Sequence, residues 1–333
     1  MTRILVTGGA GYVGSVSVEA FVAAGHDVLV LDDLSTGHRA AVTEGAHLAV
    51  GTYVDQPATT RLLREYGIEV IVHCAARSLV GESLQEPSRY FMENVSGGIA
   101  LLEAARDADV DRFVLSSTAA VYGVPAMTPI PEDAETKPIN PYGETKRAFE
   151  GALSWYGRAY GMRSVSLRYF NVAGATDALG EDHDPETHLI PAILDAAQAG
   201  RPLTLFGDDY PTPDGTCIRD YIHVSDLADA HLRAIETTAS THPSMAVDGA
   251  LVCNLGNGGG FSNLEVIRAA ERVIGRSIPF EVGPRRVGDP PVLVASAARA
   301  AQRLGWHPQR PSLEEMVGSA WAWRQAHPGG YAD

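Results

Sequence analysis

Through the first half of the chain, short apolar runs alternate with longer stretches in which apolar residues recur every three or four positions. The runs predict strands over residues 3–7, 27–31, 47–50, 70–74, 112–116 and 163–168, and the longer stretches predict helices over 13–24, 57–66, 88–108 and 141–160. Such alternation predicts βαβ units. The expected fold class is α/β: a Rossmann-type doubly wound parallel sheet with helices on both faces and a smaller mixed α/β C-terminal lobe. After about Asn171 the texture changes. Residues 174–186 and 207–216 are rich in Gly, Pro and Asp and read as ordered loops, 221–235 and 263–274 read as helices, and 256–260 as a flexible turn. The expected division is a dinucleotide-binding domain over 1–171 and a second lobe mainly over 172–333. Segments near 220–255, the run 251–255 among them, return to the first domain.

Composition narrows the possible partners. The 333 residues are 45% hydrophobic, enough for one large domain with a lobe attached. A net charge of -15 leaves no basic footprint for nucleic acid, although a few arginines in a cleft still suffice for an anionic ligand. Cys74, Cys217 and Cys253 show no CxxC spacing, which indicates neither a disulfide framework nor a zinc site and favours a reducing compartment. The histidines, His183 and His231 among them, lack metal-ligand spacing, so no metal is expected. Met1-Thr2-Arg3 runs directly into Ile4-Leu5-Val6, and no apolar run reaches the roughly 18–20 residues of a membrane helix. The expectation is a cytoplasmic protein without membrane contact.

The candidate chemistry begins at Gly8-x-x-Gly11-x-x-Gly14, between the first strand and the first helix. There Gly8 permits a tight turn, Gly11 lets a pyrophosphate approach the helix N-terminus, and Gly14 lets helix and sheet pack closely. Asp32 ends the second strand 18 residues beyond Gly14, placed to accept both ribose hydroxyls of an adenosine and to repel a 2′-phosphate. NAD is therefore expected rather than NADP.

A second constellation lies further on. Ser116-Ser117-Thr118 closes the apolar strand at Phe113-Val114-Leu115, and Tyr142-Gly143-Glu144-Thr145-Lys146 opens a helix. The spacing puts Tyr142 and Lys146 on one helical face. A free phenol titrates near 10, so a lysine ammonium beside it is expected to favour the phenolate. Tyr142 then exchanges a proton with a substrate hydroxyl while hydride moves to or from a nicotinamide, and Thr118 hydrogen-bonds the same oxygen.

Together these signals resemble the extended short-chain dehydrogenase/reductase family, and within it the UDP-glucose 4-epimerases. The likeness runs from near the first residue to about Trp306. It is carried by His73-Cys74-Ala75-Ala76, Val80-Gly81-Glu82-Ser83, Ser116 to Gly123, and Leu167-Arg168-Tyr169-Phe170-Asn171. Phe206-Gly207-Asp208-Asp209-Tyr210-Pro211-Thr212, the run from Asp214 to Val224, and Arg285-Arg286 with Gly288-Asp289 complete it. The resemblance implies NAD-dependent epimerisation at C4 of a UDP-hexose, UDP-glucose or UDP-galactose. The sugar is oxidised transiently to a 4-keto form, turned over and reduced again. It implies Tyr142, Lys146 and Thr118 as the catalytic set. Cofactor contacts are implied at Gly8, Gly11, Tyr12, Val13, Gly14, Asp32, Asp33, Leu34, Ser35, Thr36, Gly37, Thr52, Tyr53, Cys74, Ala75, Ala76, Asn94, Ser116, Tyr142, Lys146 and Tyr169. Substrate contacts are implied at Thr118, Asn171, His188, Leu189, Thr204, Phe206, Arg219, Tyr221, Arg286, Asp289 and Leu293. A homodimer is also implied, formed through helices 88–108 and 141–160.

Some positions depart from the family pattern. Thr52 stands where members often carry an adenine-contacting Asp, and His188 where many carry Asn. Leu293, near the position thought to limit the C2 substituent, favours plain glucose and galactose but leaves an N-acetyl sugar open. Arg77 is read as a cofactor or surface contact, or as a reader of a uronic acid, which keeps UDP-N-acetylglucosamine and UDP-glucuronate as alternative substrates. A nucleotide-sugar dehydratase needs an acid and base beside the threonine, where Ala119 and Ala120 stand instead. A non-catalytic NAD-sensing protein could dispense with Tyr142 and Lys146, and both are present.

Overall fold

The computed structural model describes residues 1–239, 249–286 and 289–332; Gly288 of the motif above lies outside them. Seven parallel strands form the central sheet, in the order Ala250–Leu255, Arg163–Tyr169, Arg112–Thr118, Val70–His73, Arg3–Thr7, Asp27–Asp32 and His47–Val50. The chain starts in the middle and winds outward both ways, so the order reverses beside Arg3–Thr7. Ligands gather at such a switch point, beyond the carboxyl ends of the strands.

Each face of the sheet carries its own core. On one side Ile4, Val6, Val28, Val72 and Val114 pack with Phe21, Leu227 and the fully buried Trp306. On the other, Leu5, Leu29, Ile71, Phe113 and Leu115 pack with Leu101, Phe149 and Leu153. Burial on both faces explains why these strands read as continuous apolar runs rather than alternating ones. A third cluster joins the helices Leu189–Ala199, Asn263–Ile274 and Leu313–Ala326 to the strand Leu203–Phe206. Ser262 and Glu265 form a reciprocal capping box that starts the second of these helices.

One expectation about elements is corrected and one refined. Residues 221–235 are not one helix: Tyr221–His223 is a strand paired with Asn171–Ala173, and the helix is Val224–Thr237. The helix expected over 88–108 runs from Pro87 to Asp107 but contains a π-helical segment, Phe91–Gly97, between its α-helical ends. Packing explains this segment. Cβ atoms on Gly97 and Gly98 would lie 2.8 Å from Val54 and 2.7 Å from Phe149 respectively. The widened turn carries Asn94 inward, where its amide donates to the Arg77 carbonyl at 2.9 Å and to Thr145 at 3.0 Å.

Candidate active site

The glycine loop separates what the protein needs for itself from what it leaves open. Gly8 has φ 71°, and a Cβ there would lie 2.5 Å from the Ala75 nitrogen; a Cβ on Gly14 would lie 2.0 Å from the Gly8 carbonyl oxygen. Both positions are forced by packing. A Cβ on Gly11 would meet nothing nearer than that same oxygen, at 3.5 Å. Gly11 therefore keeps an open cradle before the helix Tyr12–Ala23, where free N–H groups and the helix dipole favour a phosphate. This cradle fits the pyrophosphate of a dinucleotide. Gly11→Ala is expected to keep the unfolding temperature within about 2 °C while weakening NAD binding at least about tenfold. Calorimetric titration checks this, and unchanged affinity would remove the pyrophosphate from the cradle.

Asp32 closes the cradle's flank. Its two carboxylate oxygens accept from the Ala10 and Leu34 nitrogens, each at 2.9 Å. Burial raises its pKa, and these backbone bonds oppose the rise. Leu34 has the unusual φ of 58°, and a Cβ on Gly37 would lie 3.0 Å from Asp32, so the 33–37 loop folds tightly onto the glycine loop. Asp33, Ser35 and Thr36 remain exposed. Asp32 thus braces two loops as well as offering lone pairs to a ribose. Cys74 and Ala75 donate their backbone N–H groups to the Thr7 carbonyl and, followed by Ala76, form the opposite wall. Thr52 is exposed and accepts from the Val54 nitrogen at 3.3 Å, while the Tyr53 hydroxyl donates to the Glu93 carbonyl at 3.0 Å.

The helix Pro141–Tyr160 brings the catalytic candidates together. The Asn140 side chain accepts from the Gly143 nitrogen at 2.8 Å, and Pro141 suits the first turn. A Cβ on Gly143 would lie 2.5 Å from the Ala120 carbonyl, so glycine lets the helix end sit on the turn Ala119–Tyr122. That seats partly accessible Tyr142 at the carboxyl end of the strand that closes on Thr118. Lys146 is buried one turn on, and its Nζ donates to the Ser116 carbonyl at 2.9 Å. The Ser116 hydroxyl lies 3.2 Å from Cys74 Sγ and 2.7 Å from His231 Nε2, with the phenol of Tyr169 also bonded to Ser116.

Burial pushes the Tyr142 phenol up, with hydrogen bonding from Thr118 opposing, while the Lys146 ammonium donates to the Ser116 carbonyl. Burial also lowers Lys146 to about 8, with Cys74 and Glu150 opposing.

One turn beyond Lys146, Glu150 anchors a network that the sequence reading did not assign. It accepts from Ser117 at 2.5 Å and pairs with Arg168 at 2.5 Å, both side chains being 7% exposed. Arg168 donates to the Tyr122 hydroxyl at 2.8 Å, and Tyr122 donates to Asn254 at 2.7 Å. The recurrence of Tyr142, Lys146 and Glu150 at intervals of four was the available signal.

The second lobe brings some of the remaining candidates together in pairs. Arg219 bonds Asp289 at 3.1 Å, and its strand pairs with Val292–Leu293, opposing Arg219 to Leu293. The Arg286 guanidinium stacks over the Phe206 ring at 4.3 Å. Thr204 is exposed on the strand of Phe206, and Asn171 and Leu189 are partly accessible. Tyr221 is 2% exposed in the third core cluster, where it serves packing. His188 is engaged by carboxylates: its Nδ1 lies 2.8 Å from Glu181 and 3.0 Å from Glu186. Burial would lower its pKa, but these hydrogen bonds raise it.

Comparison with known proteins gives a consistent picture. Residues 4–247 match the family described as NAD dependent epimerase/dehydratase. The chain is 48% identical over 334 residues to a UDP-glucose 4-epimerase of Lactobacillus helveticus, with 99% of each chain covered. It superposes with a TM-score of 0.91 on a UDP-glucose 4-epimerase from Brucella ovis in complex with NAD, at 44% identity, covering 96% of this chain and 98% of that one. A UDP-glucose 4-epimerase from Bifidobacterium longum in complex with NAD+ and UDP also gives 0.91, at 34% identity, covering 99% and 100%.

Proposed function

The chain belongs to the NAD-dependent epimerase/dehydratase family, and from that premise we propose that it inverts C4 of a UDP-hexose, interconverting UDP-glucose and UDP-galactose. The observation carrying this reading is the seating of the Tyr142–Lys146 helix against the carboxyl end of the Thr118 strand, where Lys146 bonds the Ser116 carbonyl, in a sheet whose glycine loop offers the Gly11 cradle. NAD, held at the loop of Gly8, Gly11 and Gly14, would supply a reversible acceptor for the C4 hydride. Tyr142 takes the proton of the 4-hydroxyl and gives it back to the same oxygen after the sugar has turned over. Thr118 steadies that oxygen with a hydrogen bond, and Lys146 is fixed by the Ser116 carbonyl to hold the nicotinamide ribose. Residues 1–171 with the strand Ala250–Leu255 serve the dinucleotide, and the remaining lobe serves the UDP-sugar. There Arg219 and Arg286 supply charge to the diphosphate and Phe206 an apolar face to the uracil, with Asn171, Leu189 and Asp289 completing the grip. Holding the nucleotide firmly and the hexose loosely lets the 4-keto sugar present its other face.

Leu293 packs with Val121, Tyr122, Ile130 and Phe170, directly after the Thr118 strand, which suits a limit on substituent size. Leu293→Ser is expected to raise the rate on UDP-N-acetylglucosamine relative to UDP-glucose by at least about tenfold. Initial-rate ratios check this, and an unchanged ratio places the limit elsewhere. Arg77 Nε pairs with Glu93 at 2.7 Å, which disfavours a uronic acid reader. Leu84, Phe91, Met92, Trp155 and Tyr160 are exposed on or beside the segments assigned to a dimer contact, and they favour a homodimer. Among the described residues no helix is long and apolar enough to cross a membrane.

The test is incubation of the purified protein with UDP-glucose, UDP-N-acetylglucosamine and UDP-glucuronate separately, followed by anion-exchange analysis. Dominant conversion of UDP-glucose is expected. No conversion of any would return the chain to a non-catalytic NAD-binding role.

A further inference from the structure

The loop between the strand Asn171–Ala173 and the helix Leu189–Ala199 carries Glu181, His183, Glu186 and His188. Their spacing gave no metal signal in the sequence, yet folding converges them: one ligand-capable atom from each lies within 4.8 Å of the others. The Nδ1 atoms of His183 and His188 approach the same oxygen of Glu181, at 3.2 and 2.8 Å. His188 Nδ1 also lies 3.0 Å from Glu186. We propose that these four side chains bind one divalent transition-metal cation, best matched by zinc, which clamps the loop to the first turn of the following helix.

Three observations carry the proposal. Two imidazole nitrogens and two carboxylate oxygens form a borderline donor set of the size zinc takes in four-coordinate sites. Metal–ligand bonds of about 2.0–2.2 Å place tetrahedral ligand atoms about 3.3–3.5 Å apart. The contacts of 2.8–3.2 Å are slightly shorter than this and no pair of ligand atoms is more than 4.8 Å apart, so the side chains need only open slightly around an ion. Charge also fits. The Glu181 side chain is only 7% exposed, and two carboxylates with two neutral imidazoles balance a dication. The competing arrangement is a set of imidazolium–carboxylate pairs with no metal.

The loop is anchored independently of the cluster, as a pre-organised site requires. The Gly180 nitrogen donates to the Tyr331 hydroxyl at 3.0 Å, and the Tyr331 nitrogen donates to Asp182 at 2.8 Å. His38 Nε2 lies 3.0 Å from the Asp182 carbonyl, so Glu181 sits between two tied residues. Tyr12, at the start of the cofactor helix, lies edge-on to His183 at 6.3 Å. The clamp thus joins the neighbourhood of the dinucleotide loop to the helix beginning at Leu189. It shares no residue with the Tyr142, Thr118 and Lys146 set.

The test uses the full-length, NAD-loaded protein, stripped with a chelator, gel-filtered and given zinc chloride. One zinc per chain should survive a second gel filtration, measured by mass spectrometry of the metal, and the unfolding temperature should rise. Cobalt chloride should give the intense visible absorption of a tetrahedral site, and magnesium chloride should give no shift. His183→Gln and Glu186→Gln, at partly accessible positions, should each weaken zinc binding at least about 100-fold without altering the metal-free unfolding temperature. The proposal is overturned if the stripped protein retains no zinc and gains no stability. It is equally overturned if either variant holds zinc as tightly as the parent, or if magnesium produces the same shift.

Discussion

Tyr142→Phe is expected to lower turnover roughly 10²–10⁴-fold, the usual contribution of a positioned acid–base group, with NAD affinity nearly unchanged. Asn140 caps the helix, Gly143 lets it meet the Ala119–Tyr122 turn, and the phenol thereby reaches Thr118. Phenylalanine keeps the ring and its packing and removes only the oxygen that carries the proton. Turnover on UDP-glucose, read beside a fluorescence titration with NAD, separates the two effects. A turnover rate within about threefold of the parent would remove Tyr142 from the proton path.

The largest loss of stability is expected from Glu150→Ala, about 3–5 kcal/mol, because the Arg168 guanidinium would remain buried without its counter-charge. Burial alone would lower the Arg168 pKa, but hydrogen bonds and charge from Glu150 raise it, so the guanidinium stays charged inside the protein. Glu150 also receives the Ser117 hydroxyl, beside Thr118, and Arg168 stacks over Tyr122 at 4.9 Å. Loosening this network should therefore lower turnover as well as stability. Urea unfolding measures the first effect. Replacing Glu150 and Arg168 together by Leu and Met should recover much of the stability, since no lone charge then remains inside. A cost below about 1 kcal/mol for Glu150→Ala would show that the pair contributes little.

How much was legible in the sequence follows from what each signal depends on. The parallel sheet was legible because strands buried on both faces leave continuous apolar runs, as in Phe113-Val114-Leu115. Gly8, Gly11, Gly14 and Asp32 were legible because a dinucleotide loop needs those residue types at nearly fixed offsets. Tyr142 and Lys146 were legible as a pair, but the target of the Lys146 ammonium, the Ser116 carbonyl, lies on the strand Arg112–Thr118, distant in sequence, and leaves no local mark. The strand Tyr221–His223 was hidden because the helix Val224–Thr237 follows it without a break. The π-helical turn at Asn94 was hidden because Gly97 and Gly98 are required by contacts with Val54 and Phe149. Likewise, Glu181, His183, Glu186 and His188 follow no familiar ligand spacing, and only the curl of their loop brings them together.

The central claim is reversible hydride transfer at C4 of one and the same hexose. The most direct measurement is incubation of UDP-glucose bearing deuterium at C4 with the purified protein and NAD in ordinary water, followed by NMR of the nucleotide sugars. The account predicts UDP-galactose that keeps its deuterium at C4. UDP-galactose carrying hydrogen from solvent at C4, or no UDP-galactose at all, would contradict it.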